Sequence, residues 1–147
     1  MTPKCSDQQG VVLLEALIGI LIFSLGILAL VAMQAVSVST VSNARYRTEA
    51  AFLANEIISE IWVDRGTNYD NVPKYAVSSG VSGGAPSADA WVRKVYSLLP
   101  GSDTYPPDVT VVSPVAGGRQ VTVTIRWRAP DALTPSNHVA VAYVSDP

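Results

Sequence analysis

Of the residues able to do chemistry, Glu15 stands in the least expected place. It lies five residues after Gly10 in GVVLLEALIGILIFSLGILAL, residues 10–30, the most apolar stretch of the chain. An unpaired carboxylate is costly in a low-dielectric surrounding. Glu15 therefore either sits at the headgroup level of a membrane, stabilised by about 0.3–1 kcal/mol at the positive end of a helix dipole, or awaits a cation. The other reactive side chains offer less. His138, the single histidine, falls inside an apolar strand pattern and reads as a surface or rim position. Cys5, the single cysteine, follows MTPK and not an apolar segment, so it is not expected to be a lipoprotein cysteine. Alone, it builds neither a disulfide nor a thiolate metal site within the chain. Acids and histidine do not occur at metal-binding spacings, and neither a phosphate loop nor a nucleophile motif is present. These readings argue against an enzyme and imply no metal and no cofactor.

Arg119, Arg126 and Arg128 are the remaining cluster of interest, a possible cationic strip on an outward sheet face. Such residues ordinarily keep a face soluble and discourage edge pairing; capture of DNA is the sharper reading. Composition gives that reading no support. Ten Lys plus Arg against twelve Asp plus Glu leave a net charge of -2, so no basic field exists to gain from counterion release.

The elements that must carry these residues follow from length and patterning. The 147 residues suffice for one domain plus an extra element. Hydrophobic residues make up 48% and charged ones only 15%, well below the charged share of a soluble domain. No charged side chain occurs from Ala16 to Ala44, and roughly twenty apolar residues span a hydrocarbon core of about 30 Å. A secretory signal peptide would be shorter, with a clear small-residue cleavage site after its apolar core; an ordinary signal anchor stays open.

Beyond Met33 the pattern changes. Ala50, Leu53, Ala54, Ile57, Ile58, Ile61 and Trp62 follow the spacing of one buried helix face, with Arg47, Glu49, Glu56 and Glu60 largely off it. No proline occurs between Pro3 and Pro73, and Gly66 stands where a helix cap is expected. One helix over 11–65 is predicted, on the order of 80 Å long at 1.5 Å per residue. Its weakest points are Gly19, Gly26 and the β-branched and serine run at 36–43, all of low helix propensity.

The remainder reads as a small α+β domain. The stretch SSGVSGGAPSADA, 78–90, is predicted to be a linker or surface loop. Asp89 is expected to cap a short helix in which Trp91, Val92, Val95, Leu98 and Leu99 share a face, ended by Pro100-Gly101; a strand is the alternative. Strands are predicted at 109–113, at RQVTVTIRWR and at HVAVAYV, with a turn at Gly117-Gly118. An antiparallel sheet would bury one face against the amphipathic half of the long helix.

Gly10, the run Val11-Val12-Leu13-Leu14-Glu15 and the long apolar helix resemble the prepilin leader of type IV pilins and of type II secretion pseudopilins. The Ser24-Leu25-Gly26 pattern leading to Gln34, the helix of Trp91 ending Leu99-Pro100-Gly101, and the VTVTIRW strand resemble minor pilins. The resemblance implies a leader, 1–10, removed by a prepilin peptidase that cuts between Gly10 and Val11 and methylates the amine of Val11. It implies further an assembly helix half, 11–36, an amphipathic half, 37–65, and a C-terminal pilin domain, 66–147, whose sheet packs on the helix. In such a filament Glu15 would neutralise the amine of a neighbouring subunit and set register. The implied partners are the peptidase, other minor and major pilins, the inner-membrane assembly platform and the lipid bilayer. Arg45 and Arg47, just past the span, would by charge alone favour the cytoplasm; the resemblance instead puts the leader there and the C-terminal domain outside. Many pilins close their C-terminal region with a disulfide, whereas this chain after Gly10 contains no cysteine. An unprocessed single-span binding domain is the reading from another class.

Overall fold

A computed structural model describes residues 9–113 and 118–145, with backbone alone at 9, 10 and 68. Most of the leader, with Cys5, and Gly117 of the expected turn lie outside the described residues. The chain divides into two compact units, Met1–Thr40 and Val41–Pro147. A single helix, α1 (Gln9–Val63), contributes to both.

In the first unit every residue from 11 to 38 is exposed. The helix is unbroken at Gly19, Gly26 and 36–43. Two of its hydroxyls turn back on the helix: the Ser24 hydroxyl donates to the Ile20 carbonyl at 2.7 Å and that of Thr40 to the Val36 carbonyl at 2.9 Å. This i−4 bonding satisfies a hydroxyl without water. Length and composition make this stretch sufficient to cross a membrane or to serve as a signal segment.

The second unit is built around the other half of α1. Ala50, Leu53, Ala54, Ile57 and Ile61 are fully buried, as the spacing requires. The stripe is narrower than expected, because Ile58 is half-buried and Trp62 is exposed with the Arg65 guanidinium 5.5 Å from its ring centre. Both lie at the margin of the face, where coverage depends on what the neighbouring elements reach. The helix ends two residues sooner than predicted. Gly66 follows at φ 71° and ψ 178°, a positive φ but outside the left-handed helical cap conformation.

Two 3₁₀ turns, Thr67–Tyr69 and Val72–Tyr75, lead to β1 (Val77–Ser78) and β2 (Val81–Ser82), joined by a two-residue turn. Ser79 at φ 51° and Gly80 at φ 79° give this turn the doubly left-handed backbone that matches strand twist. Helix α2 (Pro86–Leu98) follows, then β3 (Asp108–Val112), β4 (Arg119–Trp127) and β5 (Ser136–Val144). The sheet is antiparallel throughout, in the order β2-β1-β3-β4-β5. Along β4, Val121, Val123, Ile125 and Trp127 are buried while Thr122, Thr124 and Arg126 face the other way, the alternation read from sequence. Strands β1, β3, β4 and β5 close one hydrophobic core with α2 and the second half of α1.

The stretch 78–90 is not the loop expected. It supplies the β1–β2 hairpin and the first turn of α2, and it buries Ala85 and Ala88. Helix α2 begins at Pro86, whose fixed φ suits a first helical position. Asp89 therefore sits in the first turn and accepts a 2.6 Å hydrogen bond from the Ser82 hydroxyl instead of capping. Trp91, Val92, Val95 and Leu99 are buried as predicted, whereas Leu98 is exposed. At the far end, the Ser102 hydroxyl donates to the carbonyls of Val95 and Leu99, and the Arg128 amide donates to that of Pro100. These bonds take up acceptors that a helix end leaves open.

Candidate functional site

The residues singled out from sequence fall in two places. Gly10, Val11 and Glu15 lie on α1, which among the described residues runs from Gln9, ahead of Val11, so the Gly10–Val11 bond belongs to the helix in the uncut chain. Val11 and Glu15 are four residues apart and share a face one turn apart. Glu15 is the one acid or base between Val11 and Ala44. Around it Val11, Val12, Leu14, Ile18 and their neighbours are all exposed. Each such apolar side chain left in water forgoes about 1.5–3 kcal/mol of burial. Summed over the turns from 11 to 38, that cost exceeds the stability of an ordinary domain. This half of α1 is long and apolar enough to cross a membrane or to serve as a signal segment.

The second place is where α1 is held on its domain. The Trp91 indole N–H donates to the Leu53 carbonyl at 2.8 Å, fully buried, tying α2 to the middle of the packed helical half. The Lys94 ammonium binds both oxygens of Glu56 at 2.6 and 2.7 Å and lies 5.7 Å from the ring centre of Phe52. At the end of the helix, the Tyr75 hydroxyl donates to Asp64 at 2.9 Å and receives a bond from Ser87. Burial pushes the Tyr75 hydroxyl above its ordinary range; the Ser87 bond opposes this and the Asp64 carboxylate adds to it. Sequence reasoning treated Trp91 as core and missed its indole as an anchor. The available signal was an indole, which usually finds an acceptor when buried, although the buried Trp127 indole N–H has no protein partner among the described residues.

The arginines do not form one strip. Arg126 is on the outward face, bonded to Asp108 at 2.7 Å and to the Pro106 carbonyl at 3.1 Å. Arg119, an odd-numbered position of β4, shares the core-facing parity of Val121 and bonds the Ser113 hydroxyl. Arg128 lies past the strand with its guanidinium 5.9 Å from the ring centre of Tyr105. Burial would raise the Asp108 carboxyl, but the Arg126 bond, the Ser79 amide and the Arg126 charge together hold it below the usual carboxylate range. His138 is half-buried on β5 opposite Ile125. Among the described residues no group of three or more His, Cys, Asp or Glu stands where it could hold a metal ion.

Comparison with protein-family models finds no match to this chain, and neither curated proteins nor solved structures supply one. The architecture carries its own statement. A long N-terminal helix, bare and apolar in its first half and packed on a five-stranded antiparallel sheet in its second, is a pilin-like fold.

Proposed function

We propose that the chain is a minor pilin of a type IV pilus, similar to the pilus modification protein PilV. It is made as an inner-membrane precursor, with its C-terminal domain in the periplasm, and cut between Gly10 and Val11 by prepilin peptidase. It then enters or initiates a pilus that serves twitching motility or adhesion. One observation supports this reading above the rest: the first, uncovered half of α1 is apolar and its sole acid, Glu15, lies one turn from Val11 and therefore one turn from the amine that cleavage creates. That cation and the acid of an adjoining subunit would neutralise each other in low dielectric, where both are costly alone. The gain is available only in the register that brings them together. Assembly would also cover the exposed helical half.

Intact-mass measurement of the native protein tests the processing step. The expected product lacks residues 1–10 and carries an added methyl on Val11; a functioning native chain that retains its leader overturns the reading. Glu15→Ala is expected to leave membrane insertion intact and to impair incorporation, and normal incorporation would remove Glu15 from its role. A pseudopilin of type II secretion shares the leader and helix, and co-purification with secretion components instead of pilus components would identify it.

A further inference from the structure

Arg45 and Arg47 are exposed on α1 just past its uncharged run. Among the described residues no carboxylate stands within ion-pair distance of either, not even Glu49 one turn beyond Arg45. Between Glu15 and Arg45 the sequence holds no charged side chain. Along an unbroken helix that separation is about 45 Å at 1.5 Å per residue, and a bilayer with both headgroup layers included measures about 40–45 Å. With Glu15 at one headgroup layer, Arg45 reaches the other. Tyr46, of a residue type enriched at membrane–water interfaces, lies between the two arginines. It is half-buried and packs against the core, and Ala50, one turn further on, is fully buried. The folded core thus begins within about 8 Å of Arg45 along the helix axis. Successive helical residues turn by about 100°, so Arg45 and Arg47 stand on either side of Tyr46.

We propose that Arg45 and Arg47 bind the phosphates of anionic lipids at the membrane surface, so that the folded domain rests directly on the headgroups. The contact requires that α1 cross a membrane, as in the reading above, and requires neither leader removal nor filament assembly. A guanidinium takes up phosphate oxygens through paired N–H groups and stays charged at any working pH. Its apolar stem can lie along hydrocarbon while its charge remains among headgroups, which is what the end of an apolar run demands. Two cations on different sides of one helix are met together by a layer that surrounds the helix, whereas a single small anion would reach one of them. An anionic surface also adds attraction for each basic residue held beside it.

The test uses the purified full chain in nanodiscs of phosphatidylcholine carrying a trace of spin-labelled phosphatidylglycerol or of spin-labelled phosphatidylcholine. Electron spin resonance reads the share of each label immobilised beside the protein. The expected result is a preference for the anionic label that falls by up to about fivefold with each of Arg45→Gln and Arg47→Gln, the factor one basic residue carries at an anionic surface. Arg45→Lys with Arg47→Lys should keep most of the preference, because the surface reads charge. Both pairs of changes fall on exposed side chains and should leave the circular dichroism of the parent unchanged. Salt at 1 M, with a Debye length of about 3 Å, should remove the preference. Equal immobilisation of the two labels overturns the proposal, as does a preference that survives the double Gln variant. Inorganic phosphate that displaces the label more than chloride at equal ionic strength would assign the arginines to a free anion instead. A chain that fails to enter the discs removes the membrane span and this contact together. An inserted chain without lipid preference overturns the contact alone and leaves the processing reading standing, and a native chain that keeps its leader leaves the contact standing.

Discussion

Gly80→Ala is the most direct probe of how the β1–β2 hairpin closes over α2. Two separable costs are expected. Gly80 has φ 79°, and an alanine in left-handed backbone costs roughly 1–2 kcal/mol. A Cβ at Gly80 would also stand 2.0 Å from the Tyr96 hydroxyl, 3.2 Å from Tyr96 Cζ and 3.3 Å from Pro106 Cβ. The hydroxyl must retreat to ordinary contact beyond 3.4 Å, and because Tyr96 is partly exposed its ring can swing, at about 0.5–1.5 kcal/mol for an off-rotamer torsion. Together these terms predict a destabilisation of about 2–3 kcal/mol. Urea unfolding of the full chain in micelles, followed by the fluorescence of Trp62, Trp91 and Trp127, measures it. Tyr96→Phe removes the hydroxyl and leaves the ring, so Gly80→Ala should cost about 1 kcal/mol less in that background, a coupling that a double-mutant cycle resolves. Equal costs in both backgrounds would show that the hydroxyl is not the obstacle, and no cost in either would refute the left-handed turn.

Two further perturbations address the core and the outward face. Ile57→Ala, at a fully buried position of α1, is expected to cost about 2–5 kcal/mol by urea unfolding, while Ile58→Ala, only half-buried, should cost less than half as much; equal losses would mean that the helix is rotated from the face described. Asp108→Asn should destabilise the domain at neutral pH by no more than about 1 kcal/mol, since Asp108 and Arg126 are about a third exposed and solvent screens the pair. The folded carboxyl of Asp108 lies below its ordinary value of 3.8. Its contribution is therefore fully present above that value and lost as pH falls through the lower folded value. Stability curves of the parent and variant should converge in acid, and a difference that grows on acidification would contradict the assigned bond.

Much of the architecture is legible in residues 11–63 and 119–144, because periods of 3.6 and 2 report which side of an element is covered, whatever covers it. The stripe Ala50-Leu53-Ala54-Ile57-Ile61 and the alternation Val121-Val123-Ile125-Trp127 are of this kind. The hairpin Val77–Ser82 is not, because strands of two residues are too short to display a period and their turn uses Ser-Gly where Asn-Gly would announce it. The start of α2 was hidden by GGAPS, whose composition reads as loop although Pro86 opens the helix.

For the candidate site, local sequence alone determines that a bare apolar helix carries Glu15 one turn from Val11, since both the exposure of that half and the spacing are properties of one contiguous segment. Tertiary structure decided the rest: that the Trp91 indole reaches the Leu53 carbonyl, that Arg126 meets Asp108 while Arg119 turns to the other side, and that β5 ends the sheet among the described residues. Those facts join residues far apart along the chain. Only the packing of the folded domain determines which distant groups become neighbours and which edge is left without one.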